Sequence, residues 1–315
     1  MKVVVTGGAG FIGSNIVDEL LRRAHNVTVV DNLSTGNLQN LRGNRRSIRF
    51  IQGDIRSSKT LAKAFRGADY VLHQAALPSV PRSINRPWES HDVNVNGLVK
   101  VLMAAHSAHV KKVVLASSSS VYGNRANFGA EVIKHKKEIM RPQPLSPYAV
   151  NKLTDEYYAK VFAHIYKLPT VCLRYFNVFG PRQDPKSEYA AVIPRFITAI
   201  AKNQRPTIFG DGLQSRDFTY VTNVVEANIL AMTADKIHDG ESINIACGQS
   251  ITLRQLVKEI NHQLHRRVKP KFLPPRPGDV KYSLADIRKA HRMIGYEPIV
   301  KFSEGLARTV DWYQA

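Results

Sequence analysis

Lys2-Val3-Val4-Val5-Thr6-Gly7-Gly8-Ala9-Gly10-Phe11-Ile12-Gly13 is the stretch that decides the fold. Residues 2–6 read as a buried strand. Residues 11–24 read as a helix, because Ile12, Ile16, Val17, Leu20 and Leu21 share one face at the helical period. Gly7, Gly10 and Gly13 join the two. Glycine lets the backbone turn tightly and approach a pyrophosphate closely. The helix that follows offers unpaired N–H groups and the positive end of its dipole. A glycine turn that binds nothing would look the same in isolation, but the strand–turn–helix setting favours a dinucleotide.

Outward from this unit, short β-rich runs alternate with helical segments. Asn26–Asp31, Ile48–Gln52, Tyr70–Gln74 and Lys112–Ser117 read as strands. Thr60–Phe65, Asn94–His109 and residues 148–166 read as helices. That alternation predicts an α/β fold with a doubly wound parallel sheet, its ligands at the carboxyl ends of the strands. Val171–Asn177 is a further strand, and prolines then become frequent. Residues 1–180 are expected to form a dinucleotide-binding Rossmann domain. Residues 181–315 should form mainly a smaller α/β substrate-binding domain. Strands near 217–246 (Asp217–Val221 and Ser242–Ala246) are expected to return to the main sheet. Asp31 closes the second strand, 18 residues after Gly13. A carboxylate there accepts hydrogen bonds from ribose hydroxyls and repels a 2′-phosphate, so NAD is expected rather than NADP.

The composition narrows the class. The 315 residues are 43% hydrophobic and 22% charged, an ordinary globular balance. No apolar run reaches the ~20 residues of a membrane span, and the N-terminus does not read as a signal peptide. Two cysteines, Cys172 and Cys247, lie in apolar runs and predict a reducing, cytoplasmic setting without disulfides. No metal site is expected. The net charge of +20 permits attraction to polyanions. No nucleic-acid motif accompanies it, so it reads as charge spread over many helices, part of it steering an anionic substrate.

Tyr148-Ala149-Val150-Asn151-Lys152 carries the chemistry. Positions i and i+4 share a helix face, so phenol and ammonium reach one site together. An ammonium nearby favours phenolate, which makes a phenol a usable base near neutral pH. Ala116-Ser117-Ser118-Ser119-Ser120-Val121-Tyr122-Gly123 ends a predicted strand and puts hydroxyls at the same sheet edge. A polar strand-to-loop transition remains an open reading for Ser117 and Ser120.

These motifs resemble the extended short-chain dehydrogenases over nearly the whole chain, and the UDP-hexose 4-epimerases among them. Further matches are Arg174-Tyr175-Phe176-Asn177-Val178-Phe179-Gly180-Pro181-Arg182, Ile208-Phe209-Gly210-Asp211-Gly212, Ser215-Arg216-Asp217-Phe218 and Arg276-Pro277-Gly278-Asp279. The resemblance implies that Phe11, Ile12, Asn32, Ser34, Gly36, Asp54, Ile55, Gln74, Ala75, Ala76, Asn94, Ser117 and Phe176 join the glycines and Asp31 around NAD. Tyr148, Lys152 and Ser118 would be catalytic. Ser119, Asn177, Val192, Thr207, Ile208, Phe209, Arg216, Arg276, Asp279 and Ser283 would hold the UDP-sugar. A homodimer is also implied, with helices 94–109 and 148–166 forming a four-helix bundle between subunits.

Other members of that family dehydrate, decarboxylate or epimerise UDP-glucuronate, and some only sense dinucleotides. Dehydratases carry Thr-Asp-Glu before the Val-Tyr-Gly, where this chain has Ser118-Ser119-Ser120. Decarboxylases of UDP-glucuronate usually carry a glutamate at the position of Ser120. Sensors generally lose the Tyr/Lys pair. These differences favour the 4-epimerases.

Overall fold

Six strands and the helices between them place the site. The computed structural model describes residues 1–123, 135–185, 191–275 and 281–314. The strands are β1 (Lys2–Thr6), β2 (Asn26–Asp31), β3 (Ile48–Gln52), β4 (Tyr70–His73), β5 (Lys112–Ser118) and β6 (Thr170–Tyr175). The helices between them are α1 (Phe11–Arg22), α2 (Ser58–Phe65), α3 (Val80–Asn85), α4 (Pro87–His91), α5 (Gly97–Ser107) and α6 (Pro147–Tyr166). The predicted helix from Asn94 opens as a π-turn over Asp92–Asn96 before α5 begins.

The later elements are β7 (Val178–Phe179), α7 (Val192–Ala201), β8 (Thr207–Phe209), β9 (Ser215–Arg216), β10 (Thr219–Tyr220) and α8 (Val221–Thr233). They continue with β11 (Asp239–Ile245), β12 (Ile251–Thr252), α9 (Leu253–Gln263), β13 (Lys271–Leu273), β14 (Tyr282–Ser283), α10 (Arg288–Ile294) and α11 (Phe302–Gln314).

Seven parallel strands form one sheet in the order β3-β2-β1-β4-β5-β6-β11. The order reverses between β1 and β4, and ligands of such sheets bind at that switch point. Burial on both faces explains the unbroken apolar runs in these strands. Val3, Val5, Val29, Val114 and Leu173 face the layer of α1, α8 and the C-terminal helices. Val4, Val30, Val71, Val113 and Cys172 face the layer of α2, α5 and α6.

The second half of the chain contributes to both. β11 pairs with β6 at the sheet edge, from Asp239 opposite Thr170 to Ile245 opposite Tyr175. The Asp217–Val221 run does not join the main sheet. Only Thr219 and Tyr220 are extended, and they pair with Val178 and Phe179 in a separate ribbon. The physical reason lies in Asp217. Its buried carboxylate accepts the backbone N–H groups of Cys247, Gly248 and Ala285, which pins the chain beside the sheet.

Candidate active site

The turn after β1 is built for close approach. Gly7 sits at φ +69°, and a Cβ there would lie 2.6 Å from the Ala75 nitrogen. A Cβ on Gly13 would fall 2.1 Å from the Gly7 carbonyl oxygen. Gly10 is the N-cap of α1, and no side chain caps that end. The first N–H groups of α1 therefore face the carboxyl edge of the sheet with the dipole behind them. They open onto a cleft of about 1520 Å³.

Gly7, Gly10, Phe11, Ile12, Gly13, Asp31, Asn32, Ser34, Gly36, Asp54, Ile55, Gln74, Ala75 and Ala76 all line this cleft. Asp31 is 7% exposed and accepts the N–H groups of Ala9 and Leu33 at 2.9 and 2.8 Å. Burial pushes its carboxyl up despite those two bonds. Asn32 donates to Asp54 at 2.9 Å. Asp54 also takes the Arg56 guanidinium, which holds its carboxyl well below the usual range. Gln74 donates to Asn228 at 3.0 Å and accepts from the Tyr175 hydroxyl at 3.1 Å. Two further expected cofactor residues have their side chains engaged beside the cleft rather than bordering it. Asn94 clamps the Leu77 backbone, accepting its N–H at 2.8 Å and donating to its carbonyl at 3.3 Å. Phe176 is fully buried against Tyr122, and its neighbour Tyr175 reaches the cleft instead. An uncapped helix end, three glycines at closest approach and a buried carboxylate at the end of β2 fit a dinucleotide.

The chemistry-bearing side chains converge on the same cleft. Ser146 caps α6 by accepting the Ala149 N–H, with Pro147 at its first position. Tyr148 and Lys152 then follow one turn apart, and both line the cleft with Ser117, Ser118 and Ser119. The Tyr148 backbone N–H donates to Ser83 Oγ at 3.0 Å, which fixes where the phenol starts. Lys152 is 3% exposed and donates to Asp155 at 3.1 Å. Burial pulls its ammonium down, but Asp155 and the Tyr148 phenol outweigh burial and hold it up. The Ser118 hydroxyl accepts the Ser120 N–H at 3.2 Å, which leaves its own proton for a ligand. The Ser117 hydroxyl points the other way and donates to Glu156 at 2.6 Å.

Asn177, Arg216 and Ser283 border the large cleft too. Asn177 has φ +34°, a region asparagine tolerates better than most residues, and donates to the Asp217 carbonyl at 3.0 Å. Asn177 and Arg216 also border a second cavity of about 320 Å³, together with Val192, Thr207 and Phe209. The two cavities thus share walls. Ile208 belongs to the core, with no exposure, because alternation along β8 turns it inward. Arg276 and Asp279 lie outside the described residues.

Several participants escaped the sequence reading. Asp155 stands three residues after Lys152, a spacing that helical periodicity could have flagged. Tyr175 was visible only as part of a motif. Asn228 meets Gln74 across 154 residues of chain, and no local signal announces such a partner.

Known proteins share this sequence pattern and fold. The NAD dependent epimerase/dehydratase family matches residues 3–246. A putative UDP-glucose 4-epimerase of Methanocaldococcus jannaschii is 38% identical over 311 residues, 98% of this chain and 97% of its own length. The UDP-N-acetylglucosamine 4-epimerase of Methanobrevibacter ruminantium, solved with UDP-N-acetylmuramic acid, superposes with a TM-score of 0.92. It is 44% identical over 99% of this chain and 98% of its own. The Thermus thermophilus UDP-glucose 4-epimerase, solved with NAD, gives a TM-score of 0.90 at 35% identity over 100% and 99% of the two chains. With a dinucleotide cradle, a Tyr/Lys pair and these relatives across its length, the chain belongs to the NAD-dependent epimerase/dehydratase family, and NAD is its cofactor.

Proposed function

We propose that the protein inverts C4 of a UDP-hexose, interconverting UDP-glucose and UDP-galactose and the corresponding N-acetylhexosamines. The single observation that carries this reading is the convergence of Tyr148, Lys152 and Ser118 on one cleft whose neighbouring positions, Ser119 and Ser120, hold no carboxylate. Tyr148 as phenolate accepts the proton of the 4-hydroxyl. The buried Lys152 ammonium stabilises that phenolate, and in a dry site the attraction is stronger than in water. The Ser118 hydroxyl donates a hydrogen bond to the reacting oxygen and keeps its proton. The chemistry NAD supplies when bound is reversible acceptance of a hydride from C4. After the 4-keto sugar has turned over, the Tyr148 hydroxyl returns the proton to O4 of the inverted product.

The second cavity supports a nucleotide anchor distant from the sugar. Thr207 and Phe209 would hold the uridine, and Arg216 and Asn177 would hold the diphosphate between the cavities. In this assignment residues 181–315 serve mainly substrate. The Methanobrevibacter ruminantium relative, named a UDP-N-acetylglucosamine 4-epimerase, supports the broader substrate range. A homodimer through α5 and α6 fits the apolar side chains those helices leave exposed, Met103, Tyr157, Val161 and Ile165. No described helix is long and apolar enough to cross a membrane. Incubation with a panel of UDP-sugars, with products resolved by chromatography and mass, tests the reading. Epimers of unchanged mass are expected; a product lighter by water or carbon dioxide would overturn it.

A further inference from the structure

Asp155 is a buried carboxylate that no step above uses. It lies one turn past Lys152 on α6 and is 4% exposed. Its Oδ2 accepts from Lys152 Nζ at 3.1 Å. Its Oδ1 is also buried and has no hydrogen-bond partner among the described residues. The next residue is the contrast. Glu156 is as buried, yet both oxygens are taken: Oε1 by Ser117 Oγ and Arg174 Nε, Oε2 by Arg174 Nη2. A buried carboxylate that serves only structure is satisfied in the manner of Glu156. Asp155 is half satisfied, and the partner it has is the lysine of the proposed base pair.

We propose that Asp155 is a positioning residue of the Tyr148–Lys152 pair: its carboxylate anchors the Lys152 ammonium and sets the pH range in which phenol and ammonium act together. This rests on the roles assigned to Tyr148 and Lys152 above. A negative charge beside the pair opposes proton loss from the ammonium and from the phenol alike, since either loss adds negative charge to one dry pocket. The direction is therefore the same whichever group of the coupled pair titrates first.

The surroundings leave Asp155 in this position. From α6 itself come Lys152 and Glu156, with Tyr148 acting on Lys152, and from α4 comes His91, which shares a hydrogen bond with Asn151 at 3.3 Å. Cys172 and Arg174 face it from β6. Burial pushes the Cys172 thiol well up, so it stays neutral, and Arg174 is matched by Glu156. His73, from β4 near Lys152, is pushed by burial down to about 3 and is neutral as well. Burial pushes the Asp155 carboxyl up to about 6 against the pull of Lys152, so it can itself exchange a proton near neutrality.

Asp155→Asn removes the charge and keeps the shape. The Tyr148 phenolate is read without any sugar, as the ultraviolet difference between each protein and the same protein carrying Tyr148→Phe. The expected result is a lower midpoint, because the Lys152 ammonium is then no longer offset by the carboxylate it donates to. Both limbs of the kcat/KM profile should move the same way, and Asp155→Glu should restore the wild-type titration. An unmoved midpoint in a folded, NAD-binding Asp155→Asn protein overturns the proposal. A moved midpoint in a protein that epimerises nothing supports Asp155 and counts against the epimerase reading instead. If Asp155→Asn does not fold, carbon NMR of wild-type carboxyl groups decides. Burial pushes both Asp155 and Asp217 up to about 6, and only the carboxyl beside Lys152 should move further upward in Lys152→Met; no carboxyl responding overturns the proposal.

Discussion

Asp31 Oδ2 accepts the backbone N–H of Ala9 at 2.9 Å, so the last residue of β2 is tied to the glycine turn that follows β1. The bond fixes the carboxylate at the cleft wall with lone pairs to spare. A cofactor carrying a 2′-phosphate would bring a dianion against it. Cofactor-stripped protein should therefore bind NAD more tightly than NADP. Asp31→Asn should narrow that preference by roughly tenfold or more, the scale of one charge-assisted hydrogen bond. Equal affinities in the wild type, measured by calorimetry, would defeat the assignment.

Tyr148 is placed through its backbone, whose N–H donates to Ser83 Oγ at 3.0 Å. Tyr148→Phe thus removes the reacting hydroxyl and leaves the anchor. Turnover should fall by at least ~100-fold, the usual contribution of a positioned acid–base group, while the thermal midpoint barely moves. A variant that keeps near wild-type turnover would place the base elsewhere.

His73 supplies a pH dependence of stability. It is 3% exposed and shares a hydrogen bond with Thr6 Oγ1 at 2.7 Å. Burial first, and Lys152 second, push its imidazole down to about 3, against 6.5 as the ordinary value. A folded-state value below the unfolded one means stability that is fully present above pH 6.5 and lost as pH falls toward 3. The loss amounts to about 1.4 kcal/mol per pH unit for one proton. His73→Gln should lose stability less steeply between pH 6.5 and 4 in urea titrations. Parallel slopes for the two proteins would show that His73 is not the group responsible.

The glycine turn, the strand–helix alternation and the Tyr/Lys spacing were legible because each is local: a period or a fixed separation reveals it. What stayed hidden depends on distant partners. Asp217 looked like the start of a returning strand. Its side chain collects N–H groups from Cys247, Gly248 and Ala285, and no window around residue 217 contains those donors. Asn94 and Phe176 fell in family motifs, and a motif does not say which protein groups a side chain meets. Asn94 spends its amide on the Leu77 backbone, and Phe176 turns into the core. At Asp155 the spacing was in view and only the burial was missing.

The breadth of the sugar pocket is the most specific consequence. Ser283 sits in the two-residue strand β14, which runs parallel to β9 with Ser283 opposite Arg216. It is 9% exposed and lines the cleft that also holds Tyr148 and Ser118. Tyr282 does not line it, because successive residues of a strand point to opposite sides, and the Lys281 ammonium lies 5.5 Å from its ring centroid. In the proposed reading the small hydroxymethyl group at 283 faces the sugar, with the Tyr282 ring turned away from the cleft. A 2-acetamido group should fit before and after the sugar turns over, so UDP-N-acetylglucosamine and UDP-glucose should both be epimerised. Ser283→Tyr would fill the acetamido space with a ring. Its kcat/KM for UDP-N-acetylglucosamine should drop at least ~100-fold, the upper range for steric discrimination in a pocket, with UDP-glucose affected far less. Wild-type protein inert toward N-acetylated sugars, or a variant in which both activities fall together, would show that other side chains set the width.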